Sequence, residues 1–135
     1  SIKKLSKNFI ITNCDTIFNI DLHHLIEFHR KYKFDLTMVV SQKNINFPYG
    51  SCEIDKNFNL IKMNEKPKFK FFANTGLYVL NQKISKLIPK NRYYDINHLI
   101  LRAQKENLKI GTFLINEKNW VDVGQISDLS KHLSF

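Results

Sequence analysis

Two short stretches near opposite ends of the chain carry carboxylates in settings that suit phosphate chemistry. In the first, Phe9-Ile10-Ile11-Thr12-Asn13-Cys14 leads into Asp15; in the second, Trp120-Val121 leads into Asp122, ahead of Val123-Gly124. The first is an apolar run ending in a polar loop, the pattern of a strand buried on both faces, and Asp15 falls just beyond its carboxyl end. In open α/β sheets that edge is where ligands bind. Two carboxylates at the ends of separate strands can share one Mg²⁺, a hard cation that takes one or two carboxylates together with phosphate oxygens and water. Asp15 and Asp122 are so far apart in sequence that only the fold can unite them. Taken singly, Asp15 reads equally well as a turn residue and Asp122 as a residue satisfying backbone amides before a helix.

Other reactive side chains carry less. Cys14 lacks a histidine partner at a recognisable spacing, which argues against a cysteine nucleophile. His23, His24 and His29 share a helix but never the i, i+4 spacing of a metal pair, and His98 and His132 stand alone, so all five read as packing or surface residues. Phe69, Phe71 and Phe72 have the composition of a base-stacking platform, but clustered beside a strand they fit a core or interface better. The net charge of +9 invites a nucleic-acid partner. Against this, Arg30, Arg92 and Arg102 are the only arginines, and bidentate base and phosphate recognition favours arginine's planar fork. No nucleic-acid partner is expected; small phosphate-bearing ligands are anions that suit the same charge.

The elements that must position these groups follow in a regular order. After the first strand, Leu22, Leu25, Ile26 and His29 are at helical spacing with Asp21 as N-cap, and Asp35 to Val40 reads as a second buried strand, completing a strand–helix–strand unit of right-handed parallel type. Ser51–Ile54 and Leu60–Met63 flank the turn-forming Asp55-Lys56-Asn57 as a hairpin. A strand over Asn74–Leu80, a helix from Asp95 through Ala103, a strand over Lys109–Ile115 and a last helix over Ser127–Leu133 complete the reading. The fold class is therefore α/β, a mixed, largely parallel sheet flanked by helices, in a single domain over residues 1–135. With 43% hydrophobic residues, such a domain needs no disulfide, and Cys14 and Cys52 read as reduced thiols of a cytoplasmic protein. No run approaches the roughly 18 apolar residues of a membrane span, and no membrane partner is expected.

The series N-C-D, F-P-Y-G, N-E-K-P, F-F-A-N-T-G-L-Y-V-L, I-P-K-N-R-Y-Y-D-I and N-W-V-D-V-G, in that order, resembles the sugar-1-phosphate nucleotidylyltransferases, most of all the branch with mannose-1-phosphate guanylyltransferases. The match runs from about Phe9 to about Leu129. The resemblance implies a nucleotide-diphospho-sugar transferase type of fold and attack by a sugar-phosphate oxygen on the α-phosphorus of a nucleoside triphosphate, GTP being slightly favoured. It further implies that Asp15 and Asp122 hold Mg²⁺ and that Lys66 meets the phosphate of the sugar 1-phosphate. A compact ammonium suits a phosphate oxygen, and Pro67 fixes the backbone after it, although among Lys62, Lys68 and Lys70 it also reads as a solvated lysine. Glu65 and Asn74 match the family's sugar-contacting positions, with Gly50, Thr75 and Gly76 beside them; Gly76 would permit close approach of a ligand to the strand. Cys14 and Thr75 depart from the usual glycine and alanine.

Nucleotide-binding α/β domains usually begin with a strand, a glycine-rich turn and a helix. That unit is not legible here, so the chain is expected to be the later part of a catalytic domain, incomplete at its N-terminus and inactive in isolation. Self-association or a companion segment is expected over the surface so exposed. The rival reading is a non-catalytic regulatory or assembly subunit of the same fold; the joint presence of Asp15, Lys66 and Asp122 argues against it.

Overall fold

The computed structural model describes residues 8–125. Its elements are β1 (Asn8–Thr12), β2 (Thr16–Phe18), α1 (Leu22–Lys31), β3 (Leu36–Asn46), β4 (Ser51–Ile54), β5 (Leu60–Asn64), β6 (Lys68–Asn81), α2 (Gln82–Ser85), α3 (Ile96–Lys105), β7 (Ile110–Ile115), a 3-10 turn (Glu117–Asn119) and β8 (Trp120–Asp122). The helix expected over Ser127–Leu133 lies outside the described residues. Helix α1 starts where the sequence placed it: the Asp21 side chain accepts from the amides of His23 and His24, and His29, Arg30 and Lys31 sit in the last turn, where cations suit the negative end of the helix dipole. Asp95 caps α3 in the same way through the amide of Asn97.

The main sheet has the order β1-β6-β3-β7. Strands β1 and β3 both run antiparallel to β6, and β7 runs parallel to β3. Three strands therefore share one direction, yet β1 and β3 are not neighbours: β6 is inserted between them, and the expected strand–helix–strand unit spans an antiparallel strand. The insertion follows from composition, because Leu77, Tyr78, Val79 and Leu80 of β6 are all essentially buried and need cover on both faces.

Alternation along the strands splits the core in two. On one face Leu77 and Val79 join Val39, Leu25 of α1 and Ile115; on the other, Tyr78 and Leu80 join Leu36, Ile84 of α2, and Leu99 and Ala103 of α3. Asp35 fastens one end of the sheet: its carboxylate accepts from Asn81 Nδ2 at 2.7 Å and from the amide of Lys109 at 2.9 Å, with Lys83 Nζ at 3.5 Å. Burial alone would raise the pKa of this carboxyl, but those hydrogen bonds and the Lys83 charge hold it below its ordinary value.

Strands β3 and β6 are longer than expected, pairing from Leu36 opposite Leu80 out to Asn46 opposite Lys68. Phe69, Phe71 and Phe72 thus lie within β6, not beside it, and all three are exposed. The β4–β5 hairpin forms as expected around Asp55, which accepts from the amides of Asn57 and Asn59. Among the described residues no helix is long and apolar enough to cross a membrane.

Candidate functional site

Strands β2 and β8 form a separate antiparallel ribbon, with Thr16 opposite Asp122 and Phe18 opposite Trp120. One end is closed by the amide of Val123 donating to the Asp15 carbonyl at 2.8 Å, the other by Asn119, whose Nδ2 donates to the Asn19 carbonyl while its own carbonyl accepts from the Asn19 amide, both at 2.8 Å. Phe18 and Trp120 pack on the α1-side core and seat the ribbon there. This pairing joins two segments far apart in sequence and sets Asp15 beside Asp122.

Both carboxylates converge on the bare α-carbon of Gly124. A Cβ placed there would lie 3.2 Å from Asp122 Oδ1 and 3.4 Å from Asp15 Oδ2. That space lies between one oxygen of each carboxylate, of which Asp122 Oδ1 also accepts the Gln125 amide at 3.3 Å; hard oxygen donors of this kind suit Mg²⁺ completed by phosphate oxygens and water. Asp15 is exposed and Asp122 half-buried, so both are within reach of a ligand.

Beside the pair opens a cleft of about 720 Å³, lined by Asn13, Thr16, Asn74, Thr75, Trp120 and Asp122 among others. Its wall is a bulge in β6, where Thr75, Gly76 and Leu77 occupy the span that β3 crosses with Val39 alone. Gly76 has φ +83°, and a Cβ there would come within 2.4 Å of Asn13 Nδ2. The group that approaches Gly76 closely is therefore the Asn13 amide, not a ligand. Asn74 donates from Nδ2 to the buried Tyr78 hydroxyl at 2.7 Å and accepts the Gly76 amide at Oδ1, which fixes its orientation while leaving one N–H. Burial raises the Tyr78 pKa, and the Asn74 hydrogen bond only partly offsets this, so the phenol stays protonated. The buried Thr75 hydroxyl is engaged within the sheet, donating to the Val39 carbonyl at 2.8 Å.

Gly50, Glu65 and Lys66 form a second group at the base of the hairpin. Ser51 pairs with Asn64, so their neighbours Gly50 and Glu65 face each other, and a Cβ on Gly50 would lie 3.4 Å from Glu65 Oε2. Lys66 has φ +42° and is exposed, and Pro67 after it accepts the Phe47 amide at 3.0 Å, anchoring the segment. This group does not line the cleft. The cleft instead holds residues to which the sequence assigned no role: Lys43 of β3, Glu117 and the ring of Trp120. Lys43 and Glu117 form an ion pair. The only sequence signal for Lys43 is its strand-period spacing from Ser41 and Val39, in a polar run beyond the strand expected to end at Val40.

A mixed sheet covered by helices on both faces, with two carboxylates side by side next to a cleft at strand ends, defines an α/β domain with a candidate cation-binding pair. A family model of nucleotidyl transferases matches residues 1–135, and the chain belongs to that family. It is 30% identical over 94% of its length to a mannose-1-phosphate guanyltransferase of Pichia angusta, covering 35% of that protein. It is 26% identical over 96% of its length to a D-glycero-alpha-D-manno-heptose 1-phosphate guanylyltransferase of Aneurinibacillus thermoaerophilus, covering 56% of it. The crystal structure of HddC from Yersinia pseudotuberculosis matches with a TM-score of 0.57 and 25% identity, over 94% of this chain and 54% of that one. The chain thus spans between about a third and just over half of the length of these relatives.

Proposed function

We propose that the protein carrying this chain transfers a nucleotidyl group from a nucleoside triphosphate, GTP being favoured, to a sugar 1-phosphate. An oxygen of the sugar phosphate bonds to the α-phosphorus as the bond to the β-phosphate bridging oxygen breaks, giving a nucleoside-diphosphate sugar and pyrophosphate. The observation that carries this reading is the convergence of Asp15 and Asp122 on the β2–β8 ribbon beside the cleft. Chemistry of this kind needs in-line positioning and charge neutralisation more than covalent help. Mg²⁺ held by the two carboxylates would offset charge at the α-phosphate. Lys66 meets the phosphate of the sugar substrate from the hairpin base, next to Glu65 and Gly50, while Asn74 presents its remaining N–H to a sugar hydroxyl. Two relatives named for guanylyl transfer to sugar 1-phosphates support the choice of GTP. Free, exposed Cys14 and Cys52 support a reducing, cytoplasmic setting.

The test is pyrophosphate release with Mg²⁺, a panel of nucleoside triphosphates and a panel of sugar 1-phosphates. Release is expected to require both substrates and to fall by about a hundredfold or more in Asp15→Asn and Asp122→Asn, which keep side-chain size but lose the charge that holds the cation. Release without sugar phosphate, or near-normal rates in both variants, would reject the reading.

A further inference from the structure

We propose that Tyr78 is a positioning residue for the sugar subsite: its buried hydroxyl holds the Asn74 carboxamide so that the group left over is a hydrogen-bond donor for one hydroxyl oxygen of the sugar. The inference rests on reading Asn74 as a sugar contact. Asn74 lines the cleft and is exposed, and a carboxamide so open to water ordinarily turns with little restraint. Here it is pinned at both ends. Nδ2 donates to the Tyr78 hydroxyl at 2.7 Å, and Oδ1 accepts the Gly76 amide at 3.1 Å.

The two ties act differently. A phenol hydroxyl can donate or accept, so Tyr78 fixes where the carboxamide lies but not which end is which. The Gly76 N–H can only donate, so it selects Oδ1 and leaves Nδ2 for the phenol. Both anchors are rigid. The Tyr78 side chain is 2% exposed, in the core with Leu36, Leu80, Ile84 and Leu99. The Gly76 peptide sits in the bulge at φ +83°, and its carbonyl accepts the Asn13 amide at 2.9 Å. One N–H of Asn74 remains. Ordered in advance, it meets a hydroxyl oxygen without the loss of side-chain freedom that a loose amide would suffer. That oxygen is therefore required of the substrate, and a sugar phosphate lacking it is bound more weakly.

Tyr78→Phe keeps the ring in the core and removes only the tether, and the Asn74 N–H it releases is taken up by water, so the fold should persist. The protein carrying this chain is studied by isothermal titration calorimetry with α-D-glucose 1-phosphate, α-D-mannose 1-phosphate and their monodeoxy analogues. Circular dichroism melts check that each variant is folded. In the parent protein one monodeoxy analogue should bind about three- to tenfold more weakly than the intact sugar phosphate. Asn74→Ala should abolish that difference, and Tyr78→Phe should cut it to within about twofold by weakening the intact sugar phosphate alone. The double variant Asn74→Ala/Tyr78→Phe should match Asn74→Ala. A merely structural tyrosine predicts instead that Tyr78→Phe weakens the intact sugar phosphate and its analogues by one common factor. That result, an undiminished difference in Tyr78→Phe, or a parent protein that shows no such difference or binds no sugar 1-phosphate would overturn the proposal. Pyrophosphate release judges the reaction separately: release without the predicted binding pattern removes the role of Tyr78 alone, and the pattern without release removes the reaction alone.

Discussion

Lys66 stands at the base of the β4–β5 hairpin with its backbone in the left-handed region, flanked by Glu65 and anchored through Pro67. A charge-assisted contact from such a lysine to the phosphate of one substrate is worth about 1.5 to 3 kcal/mol, or about ten- to a hundredfold in affinity. Lys66→Ala should therefore raise the KM for sugar phosphate by that factor and leave the KM for nucleotide nearly unchanged; equal effects in steady-state kinetics would remove the assignment. At this scale Asp15 was singled out because it follows an apolar run into a polar loop and Asp122 through the motif that carries the resemblance, and the ribbon sets the two side by side. Lys43 was not, because its partner Glu117 is 74 residues away and the polar run around it hides a strand. Gly76 was singled out for a reason the structure changes: the close approach it permits is that of Asn13.

Asp35 ties the start of β3 to the end of β6 and the start of β7, and each of its carboxylate oxygens accepts at least one hydrogen bond. Asp35→Asn would turn an NH₂ toward groups that themselves donate, at a site 8% exposed. The expected cost is about 1.5 to 3 kcal/mol, seen as a lower urea midpoint with an unchanged slope; an unchanged midpoint would show that the fastening is dispensable. Helices α1 and α3 were legible down to their caps, since Asp21 and Asp95 precede apolar residues at helical spacing. The β2–β8 ribbon was not, because three-residue strands carry no period and their pairing is a long-range contact. Nor was the place of β6: its two-sided apolar run shows that it is central, but not between which neighbours or in which direction.

For the molecule as a whole, the packing of α1 on the sheet makes stability depend on pH. His29 is buried at 2% exposure, with Nδ1 2.8 Å from Thr37 Oγ1. Desolvation lowers its pKa from the ordinary 6.5, helped by Arg30 and opposed by Asp35. The unfolded chain therefore takes up this proton at higher pH than the folded one, and the associated stability is complete above about 6.5 and lost as pH falls from there through the lowered value. Denaturant midpoints should fall between pH 7.5 and 5.5, and the fall should be shallower in His29→Gln; identical slopes would assign the dependence to other groups. The layered sheet also sets the geometry of the proposed site, because the β2–β8 ribbon, seated on the α1-side core, brings together two carboxylates from distant parts of the sequence. The most direct measurement of that claim is an anomalous difference map from crystals of the chain grown with MnCl₂ and recorded near the manganese edge. The expected map has one strong peak bonded to an oxygen of Asp15 and an oxygen of Asp122. Peaks only elsewhere, with none shared by these two carboxylates, would contradict it.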